Sequence, residues 1–401
     1  MGDVNSFADL IYPISEDKFF ADYYLKKYVH IKSEDKDKLR SIMSWSRLNE
    51  ILNMNAFWTP ANLKLFLDTS LINPDEYCDW GGGIANSNSL RPNPTKVNHW
   101  LSRGASIVAN DVDTLTAGLR RAADILEKKL SGKVQSNLYC SWRQHQAFPI
   151  HMDTHDVFAL HVEGQKIWRI YDGKIDEPIN HPIFSRYNQN SADGSARTLL
   201  EEIVLNPGDI LYIPRGVFHE ALASSEGCIH LSFGVTNVIG YDALVLLLDK
   251  ALADPVFRKN MPGAQSPEGE KRDWLAKLGS EALSILTSEA FYKEIIEFQN
   301  EYFYLRAGYN LPDNIADEKS VKRFQVCFDD FNIDLIEGEY CLSRGNIIVN
   351  IPHDIVDLVR WVLKTQNFDM NNLLQNFVDL TPERIDYAIE NLEKMNVLRD
   401  F

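Results

Sequence analysis

Cysteine is scarce in this chain and is not arranged for cross-linking. The five cysteines are odd in number, widely separated and contain no Cys-x-x-Cys pair; they are Cys78, Cys140, Cys228, Cys327 and Cys341. A disulfide framework needs an even set of paired cysteines, and a thiolate zinc site needs closely spaced ones. The pattern therefore argues against both and favours a reducing compartment, so we expect a cytoplasmic protein.

Long apolar runs are also missing. No stretch approaches the roughly 18 consecutive apolar residues that a transmembrane helix requires, and the N-terminal residues lack the basic and apolar segments of a secretory signal. Apolar residues nevertheless make up 45% of the 401 residues, which is ordinary for a well-packed globular protein. A chain of this length predicts two or three domains.

Positive charge is in deficit. The chain has 41 Lys and Arg against 57 Asp and Glu, a net charge of −16. A nucleic-acid or membrane-surface protein normally presents a basic face, so neither partner is expected. An acidic surface attracts basic polypeptides instead, and a basic protein or peptide substrate would fit it.

The most informative residues are His151 and Asp153, which are separated by one residue, and His219 far downstream. Two imidazoles and one carboxylate are the ligands of catalytic ferrous sites, where they cover one face of the ion and leave the opposite positions for co-substrate and dioxygen. In a strand, side chains two residues apart point to the same face. We therefore expect His151 and Asp153 to lie on one strand and His219 on its neighbour.

The surrounding sequence alternates like a β-protein. Strands are predicted at Asp156–Glu163 and Lys166–Tyr171 around the turn Gly164-Gln165, and at Glu202–Leu205 and Ile210–Pro214 around a second turn. Further strands are predicted at 136–142 and 228–235. Each of the two pairs is interpreted as a hairpin, and two hairpins that bring His-x-Asp and His together describe a double-stranded β-helix, or jelly roll, within an α+β chain.

Several segments carry a specific family resemblance. They are His151-x-Asp153, Val157-Phe158, Glu163-Gly-Gln-Lys166-Ile-Trp168-Arg and Pro207–Gly216 with His219. Over about residues 135–235 the chain resembles the JmjC-type cupins, and within them the ribosomal oxygenases, which are iron(II)- and 2-oxoglutarate-dependent protein hydroxylases. The resemblance implies a dioxygenase that uses Fe(II), 2-oxoglutarate and O2 to hydroxylate a histidine or arginine of a ribosomal protein. A related oxygenase acting on another peptide or a small metabolite is the alternative, and a demethylase or a non-catalytic cupin is the third possibility.

The resemblance also implies roles for individual residues. Lys166 matches the position that pairs with the distal carboxylate of 2-oxoglutarate, and Ser141 is a weaker candidate for the same carboxylate. Asn137 and Tyr139 match positions that line the site near substrate, although barrel packing explains Tyr139 equally well.

Three further histidines lie near these positions. His155 is expected beside the metal ligands or at the rim of the site, because it is four residues from His151, roughly 13 Å along an ideal strand, and too far away to bind the same ion. His230 is expected to be a buried, hydrogen-bonded residue rather than a ligand. His161 and Gly234 depart from the family, which often has Gln and a hydroxyl residue there, and this puts the substrate side chain in doubt.

Three parts are predicted along the chain. Residues 1–237 form the catalytic domain, with helices over Glu16–Lys27 and Asp113–Leu130. Residues 238–318 form a helical region, with helices over Asp242–Ala253 and Asp273–Phe303; in the resembling family this region joins two subunits, so we expect a homodimer.

Residues 319–401 form a winged-helix-like domain. Its predicted strands are Arg323–Phe328 and Asn346–Ile351, and its predicted helices are Asp354–Lys364, Met370–Phe377 and Pro382–Met395. Residues 341–401 contain six Lys and Arg and nine Asp and Glu, a balance of −3, which favours a structural or protein-contact module over a nucleic-acid reader.

Overall fold

A computed structural model describes most of the chain. The described residues are 4–81, 89–142, 148–184, 197–223, 227–306, 322–327, 331–336, 338–344, 347–395 and 397–400. They form two compact units, and the first consists of residues up to Asn260 together with Phe298–Arg306. The second consists of Met261–Glu297 and the chain after Arg306. The predicted boundary at residues 318 and 319 lies outside the described residues.

The first unit combines β-strands with helices that lie mainly before the central strands and after the last one. Its helices are α1 (Phe7–Ile11), α2 (Glu16–Asp22), α3 (Trp45–Leu52), α4 (Pro74–Tyr77), α5 (Pro94–Ser102), α6 (Ala117–Leu130), α7 (Gly240–Ala251) and α8 (Pro255–Arg258). Its strands are β1 (Val29–Ile31), β2 (Leu63–Leu67), β3 (Ser70–Leu71), β4 (Cys78–Gly81), β5 (Ser89–Pro92), β6 (Ser106–Ala109), β7 (Gly132–Ser141), β8 (Asp156–Glu163), β9 (Lys166–Tyr171), β10 (Leu199–Leu205), β11 (Ile210–Ile213), β12 (His219–Ala223) and β13 (Cys228–Asn237).

Two antiparallel sheets form the jelly roll that the sequence predicts. The larger sheet has the order β1-β11-β8-β13-β7-β6-β2-β3, and the smaller has the order β10-β9-β12. A separate ribbon pairs β4 with β5. The bounds of β8 and β9 are the predicted ones.

Both predicted hairpins are wrong. Strand β8 pairs with β11 and β13, whereas β9 pairs with β10 and β12. The turns after β8 and β10 are therefore corners where the chain passes from one sheet to the other. The reason is burial: each of these strands has an apolar face that the opposite sheet covers, and a turn sequence does not specify whether the next strand pairs or crosses.

Strand alternation separates two cores. The outer face of the large sheet packs Phe158, Tyr212 and Phe233 against the N-terminal helices, including Phe19. The inner cluster lies between the sheets and contains Val157, Ala159, Trp168, Ile170, Leu205 and Leu211. Polar residues that share the inner face of these strands are consequently held inside an apolar barrel.

Two helices of the first unit differ from their predicted bounds. Ser15 caps α2 as expected, since its Oγ accepts from the Lys18 N–H at 3.3 Å, but the helix ends at Asp22 rather than Lys27. Helix α6 begins at Ala117 rather than Asp113, because the Thr116 hydroxyl accepts from the Leu119 N–H at 3.1 Å and caps it there.

The second unit combines helices and small sheets. It contains α9 (Glu268–Leu286), most of α10 (Glu289–Asn300), β14 (Arg323–Val326), β15 (Asn332–Ile336), β16 (Glu339–Arg344), β17 (Ile347–Ile351), α11 (Val356–Thr365), β18 (Asn367–Asp369), α12 (Met370–Asn376), α13 (Pro382–Lys394) and β19 (Leu398–Asp400). The helix predicted over Asp273–Phe303 is two helices, because Ser288 accepts from the Phe291 N–H at 3.2 Å and starts α10. Residues 328 and 346 of the predicted strands lie outside the described residues.

The C-terminal part of this unit has two three-stranded sheets, β18-β14-β19 and β15-β16-β17, around a core with α11 and α13. Thr381 caps α13 as predicted, through its hydroxyl and the Arg384 N–H at 3.3 Å. Strands β15 and β16 were not predicted, and in β15 the adjacent exposed residues Leu335 and Ile336 obscure the alternation. The winged-helix assignment stays a prediction.

Candidate metal centre and barrel interior

His151 and His219 face each other across a single β-bridge. The N–H of His151 donates to the His219 carbonyl at 3.0 Å, and the N–H of His219 donates to the His151 carbonyl at 2.8 Å. Side chains opposite each other in such an antiparallel pair project to the same face. Their rings accordingly lie with centroids 4.5 Å apart, which confirms the expected neighbourhood of the two residues.

Asp153 reaches the same point without belonging to a regular strand. The expected strand over 151–153 is wrong beyond the bridge, since Met152 and Asp153 have no strand pairing. The segment is anchored instead by the Gly216 N–H, which donates to the Asp153 carbonyl at 2.9 Å. Burial still alternates, because Met152 is buried while its two neighbours are partly exposed. The Asp153 carboxylate therefore turns to the side of His151.

The three side chains offer ligand atoms that all lie within 4.8 Å of one another. The Asp153 Oδ2 is 3.5 Å from His219 Nε2. His151 Nδ1 lies 2.9 Å from the Pro149 carbonyl, and His219 Nδ1 lies 3.0 Å from the Val217 carbonyl. A carbonyl only accepts, so both Nδ1 atoms carry the proton and both Nε2 lone pairs remain for an ion. This donor set fits one divalent metal.

The charge states suit a cation. Burial alone would raise the pKa of the Asp153 carboxyl, but His155, His151 and His219 hold it below its ordinary value. Burial, reinforced by His151, lowers the pKa of His219 to about 4 against the opposing pull of Asp153. At neutral pH the cluster therefore presents a carboxylate and a neutral imidazole, which are the forms that coordinate a metal.

Lys166 lies at the start of β9, on the inner face of the barrel, and is only 3% exposed. Its Nζ donates to His230 Nδ1 at 3.4 Å and lies 5.9 Å from the centre of the Tyr139 ring. Among the described residues no carboxylate forms an ion pair with it. Burial lowers its pKa, and a cation so placed requires an anion.

Tyr139 and His230 form the wall beside this lysine. Their rings stack with centroids 4.6 Å apart at 9°. His230 is buried and hydrogen-bonded, as the sequence predicts. Ser141 is buried at the end of β7, opposite Cys228, and its predicted contact with the co-substrate stays a prediction. Asn137 accepts from the Asp111 N–H at 3.3 Å and lines a cavity that also contains His155.

Sequence reasoning missed two polar atoms in the interior. Trp168 Nε1 and His161 Nδ1 are buried and have no hydrogen-bond partner in the described part of the chain. Trp168 stacks on His219 with centroids 5.7 Å apart and meets His230 edge-on at 5.5 Å, so it spans the space between the metal ligands and Lys166. Its position two residues after Lys166 was the available signal, because alternation places both side chains inside.

A jelly roll that holds two histidines and a carboxylate around one point, and a buried lysine with no carboxylate partner among the described residues, has the arrangement of a cupin-type metal centre. Residues 112–242 match the family described as JmjC domain. Over these residues the chain is similar to the JmjC-domain family, and it is similar to the ribosomal oxygenases, as the sequence predicts.

Two relatives illustrate the similarity. The chain is 27% identical over 255 residues to the bifunctional lysine-specific demethylase and histidyl-hydroxylase NO66 of Drosophila grimshawi, covering 63% of this chain and 33% of the relative. It is 24% identical over 278 residues to ribosomal oxygenase 1 of Danio rerio, covering 66% and 49%. The matched part thus spans between a third and a half of the length of these relatives.

The fold also matches a solved structure. The ribosomal oxygenase YcfD of Escherichia coli, in complex with cobalt and 2-oxoglutarate, aligns with a TM-score of 0.51 and covers 97% of this chain and 98% of that one. Its 14% identity supports the fold alone. No helix of the described residues is long and apolar enough to span a membrane.

Proposed function

We propose that this protein is an Fe(II)- and 2-oxoglutarate-dependent dioxygenase that hydroxylates a protein side chain, a histidine or arginine of a ribosomal protein. The observation that carries the proposal is the convergence of His151, Asp153 and His219 on one point within a barrel whose interior also holds Lys166, a buried cation with no carboxylate partner among the described residues. Metal ligands and a site for an anion are the two requirements of this chemistry.

In this proposal His151, Asp153 and His219 hold the iron, and Lys166 pairs with the distal carboxylate of 2-oxoglutarate. Ser141, buried at the end of β7, is the second candidate for that carboxylate. With dioxygen, the bound iron and 2-oxoglutarate supply the oxidising power that converts a C–H bond into a C–OH bond and leaves succinate and carbon dioxide.

The remaining groups in the barrel interior orient the metal ligands and exclude water. The carbonyls of Pro149 and Val217 fix the ring orientation of the two ligand histidines, as outer-shell partners do in metal sites. Trp168 and the stacked Tyr139 and His230 exclude water around Lys166, which strengthens its attraction for a carboxylate. Asn137 and Tyr139 are proposed to face the substrate.

Two observations support a ribosomal protein as substrate. The relatives include a histidyl-hydroxylase and ribosomal oxygenases, and the net charge of −16 favours a basic partner over nucleic acid or a membrane. Hydroxylation of another peptide or a small metabolite is the alternative, and the polar cavity beside Asn137, of 310 Å³, has the volume for a small molecule.

Proteomics tests the proposal directly. Cells that lack the gene are complemented with wild type, with Asp153→Ala or with Asp17→Ala, an exposed carboxylate on α2 that serves as the control. We expect a side chain heavier by one oxygen atom in wild type and control, and its loss in Asp153→Ala. A mark that survives Asp153→Ala, or no mark in wild type, would overturn the proposal.

The wider organisation is also a proposal. Residues 1–237 would form the catalytic domain, 238–318 a helical dimerisation region and 319–401 a winged-helix-like protein-contact module. Helix α7 supports a homodimer, because its residues Leu244 and Leu248 and its C-cap residue Leu252 follow one another at four-residue spacing and are 51%, 64% and 61% exposed. Light scattering of the wild-type protein should give twice the monomer mass. The Leu248→Glu variant should give the monomer mass.

The five free thiols support a cytoplasmic location.

A further inference from the structure

A polar cavity lies on the barrel and is lined in part by His155, which is two residues after the candidate metal ligand Asp153. It has a volume of 310 Å³, and its wall includes Asp111, Gln135, Asn137, His155, Ser232 and Tyr304. The jelly roll supplies Gln135, Asn137 and Ser232 from the paired strands β7 and β13, while Tyr304 comes from the segment that returns to the first unit after α10. Amide, hydroxyl and carboxylate groups dominate this wall, so it suits a polar occupant.

The imidazole of His155 packs directly against Gly234 in β13. A Cβ on residue 234 would lie 2.5 Å from His155 Cδ2 and 2.7 Å from Nε2, closer than such atoms approach in proteins. Its backbone is not in the left-handed region, so its conformation does not require glycine. A side chain at position 234 would instead displace the ring packed there. Gly234 therefore leaves the space that the imidazole of His155 occupies, and the two residues together set the position of the ring.

His155 differs from the other histidines of the barrel. His151, His219, His161 and His230 each use one ring nitrogen on a carbonyl or on Lys166. The ring nitrogens of His155 have no hydrogen-bond partner in the described part of the chain, although the residue is partly buried. A fixed imidazole at the wall of a polar cavity thus has its hydrogen-bonding capacity available to an occupant.

We propose that His155 is a specificity-determining residue that hydrogen-bonds a polar group of the substrate side chain, and that Gly234 is the positioning residue that seats its ring. The inference rests on the proposed hydroxylase function and deepens it by defining the substrate as a side chain with a hydrogen-bonding group near the oxidised carbon. A site built around such a bond discriminates strongly against side chains without it, because the site's own polar group is then left unpaired.

A double-mutant cycle tests whether His155 and Gly234 act together. The variants are His155→Ala, Gly234→Ala, the double variant and His155→Asn, with His99→Ala, an exposed histidine of α5, as the matched control. The probe is the proteome of the gene-deleted cells expressing each variant, and the readout is the occupancy of the mark that Asp153→Ala abolishes. Co(II) absorption with and without 2-oxoglutarate is recorded on each purified protein, so that damage to the metal site is detected separately.

His155→Ala and Gly234→Ala should each lower the mark roughly tenfold or more, as expected for the loss of one buried hydrogen bond. The double variant should be no worse than His155→Ala, because the added methyl then meets no ring. His155→Asn should recover part of the mark, and the Co(II) spectra should match wild type throughout.

Three results would overturn the inference. They are a mark that persists in His155→Ala at the level of His99→Ala, an additive loss in the double variant, and a lost mark accompanied by a changed Co(II) spectrum, which would assign His155 to metal support. If Gly234→Ala fails to fold, the double variant must fold, since its clash is gone. A complete lack of any mark in wild type identifies failure of the proposed function itself and removes this inference with it.

Discussion

Two buried cations in the first unit are treated in opposite ways. The Arg306 side chain is 2% exposed and donates to Asp113 at 2.6 Å, to Glu127 at 2.5 Å and to the Val134 carbonyl. Lys166 is as deeply buried, yet among the described residues it has only His230 as a hydrogen-bond partner and no carboxylate. A buried cation that is paired with carboxylates of its own chain, such as Arg306, stabilises the fold. A cation without them indicates an anion that arrives from outside.

Replacing Lys166 by Met tests whether this buried cation binds 2-oxoglutarate. Loss of one partner from a buried ion pair costs about 3–5 kcal/mol, which is roughly a hundred- to several-thousand-fold in affinity. We expect 2-oxoglutarate affinity, measured by calorimetry on the Co(II) protein, to fall by that factor. The free energy of unfolding of the metal-free protein should stay equal or increase, because a desolvated charge has been removed. Unchanged affinity would contradict the role of Lys166.

The same replacement at Arg306 should have the opposite outcome. Arg306→Met leaves Asp113 and Glu127 without their cation, and the free energy of unfolding should decrease by about 3–5 kcal/mol in urea denaturation. Affinity for 2-oxoglutarate in the protein that remains folded should be unchanged. If Arg306→Met weakened 2-oxoglutarate binding while Lys166→Met did not, the assignment of the two cations would be reversed.

The buried histidines beside Lys166 predict a pH dependence of stability. Burial lowers the pKa of His161 to about 4, and it lowers the pKa of His230 as well. Between that value and the ordinary value near 6.5, the unfolded chain binds a proton that the folded chain does not, so stability is lost as the pH falls through this window. For His161 the loss between pH 7 and pH 5 is roughly 1–2 kcal/mol. His161→Gln should reduce the slope in urea unfolding, and an unchanged slope would contradict the buried neutral state.

Trp168 should produce the smallest effect. Its indole Nε1–H is a buried donor without a partner in the described part of the chain. If the co-substrate or a water held by it accepts from this donor, Trp168→Phe should weaken 2-oxoglutarate binding by about 0.5–1.5 kcal/mol, the usual net value of one hydrogen bond. Tighter binding in Trp168→Phe would show that the donor is unsatisfied in the bound state too.

The sequence predicts the parts of this account that depend on local pattern. Alternation located β8 and β9 to the residue, whereas Lys166 was singled out by the family resemblance. Alternation failed where pairing is decided by packing of one sheet on another, so two corners were interpreted as hairpins. Arg306 contacts Asp113 and Glu127, which lie 193 and 179 positions away in the sequence. No local sequence pattern predicts such contacts.

The metal site shows the same division. His-x-Asp and a distant His were recognisable from chemistry and spacing, and the bridge between His151 and His219 confirms their neighbourhood. The support was not recognisable, because the Nδ1 contacts of the two rings go to backbone carbonyls, which every residue has. The seat that Gly234 provides for His155 likewise follows only from the way β13 meets the segment after Asp153.

The most direct test of the central claim is a Co(II) titration of wild type and Asp153→Ala, followed by addition of 2-oxoglutarate, with visible absorption as the readout. We expect one Co(II) per wild-type chain, a spectrum that changes when 2-oxoglutarate binds, and loss of both in Asp153→Ala. Wild-type protein that binds no Co(II), or Asp153→Ala that binds metal and 2-oxoglutarate as wild type does, would contradict it.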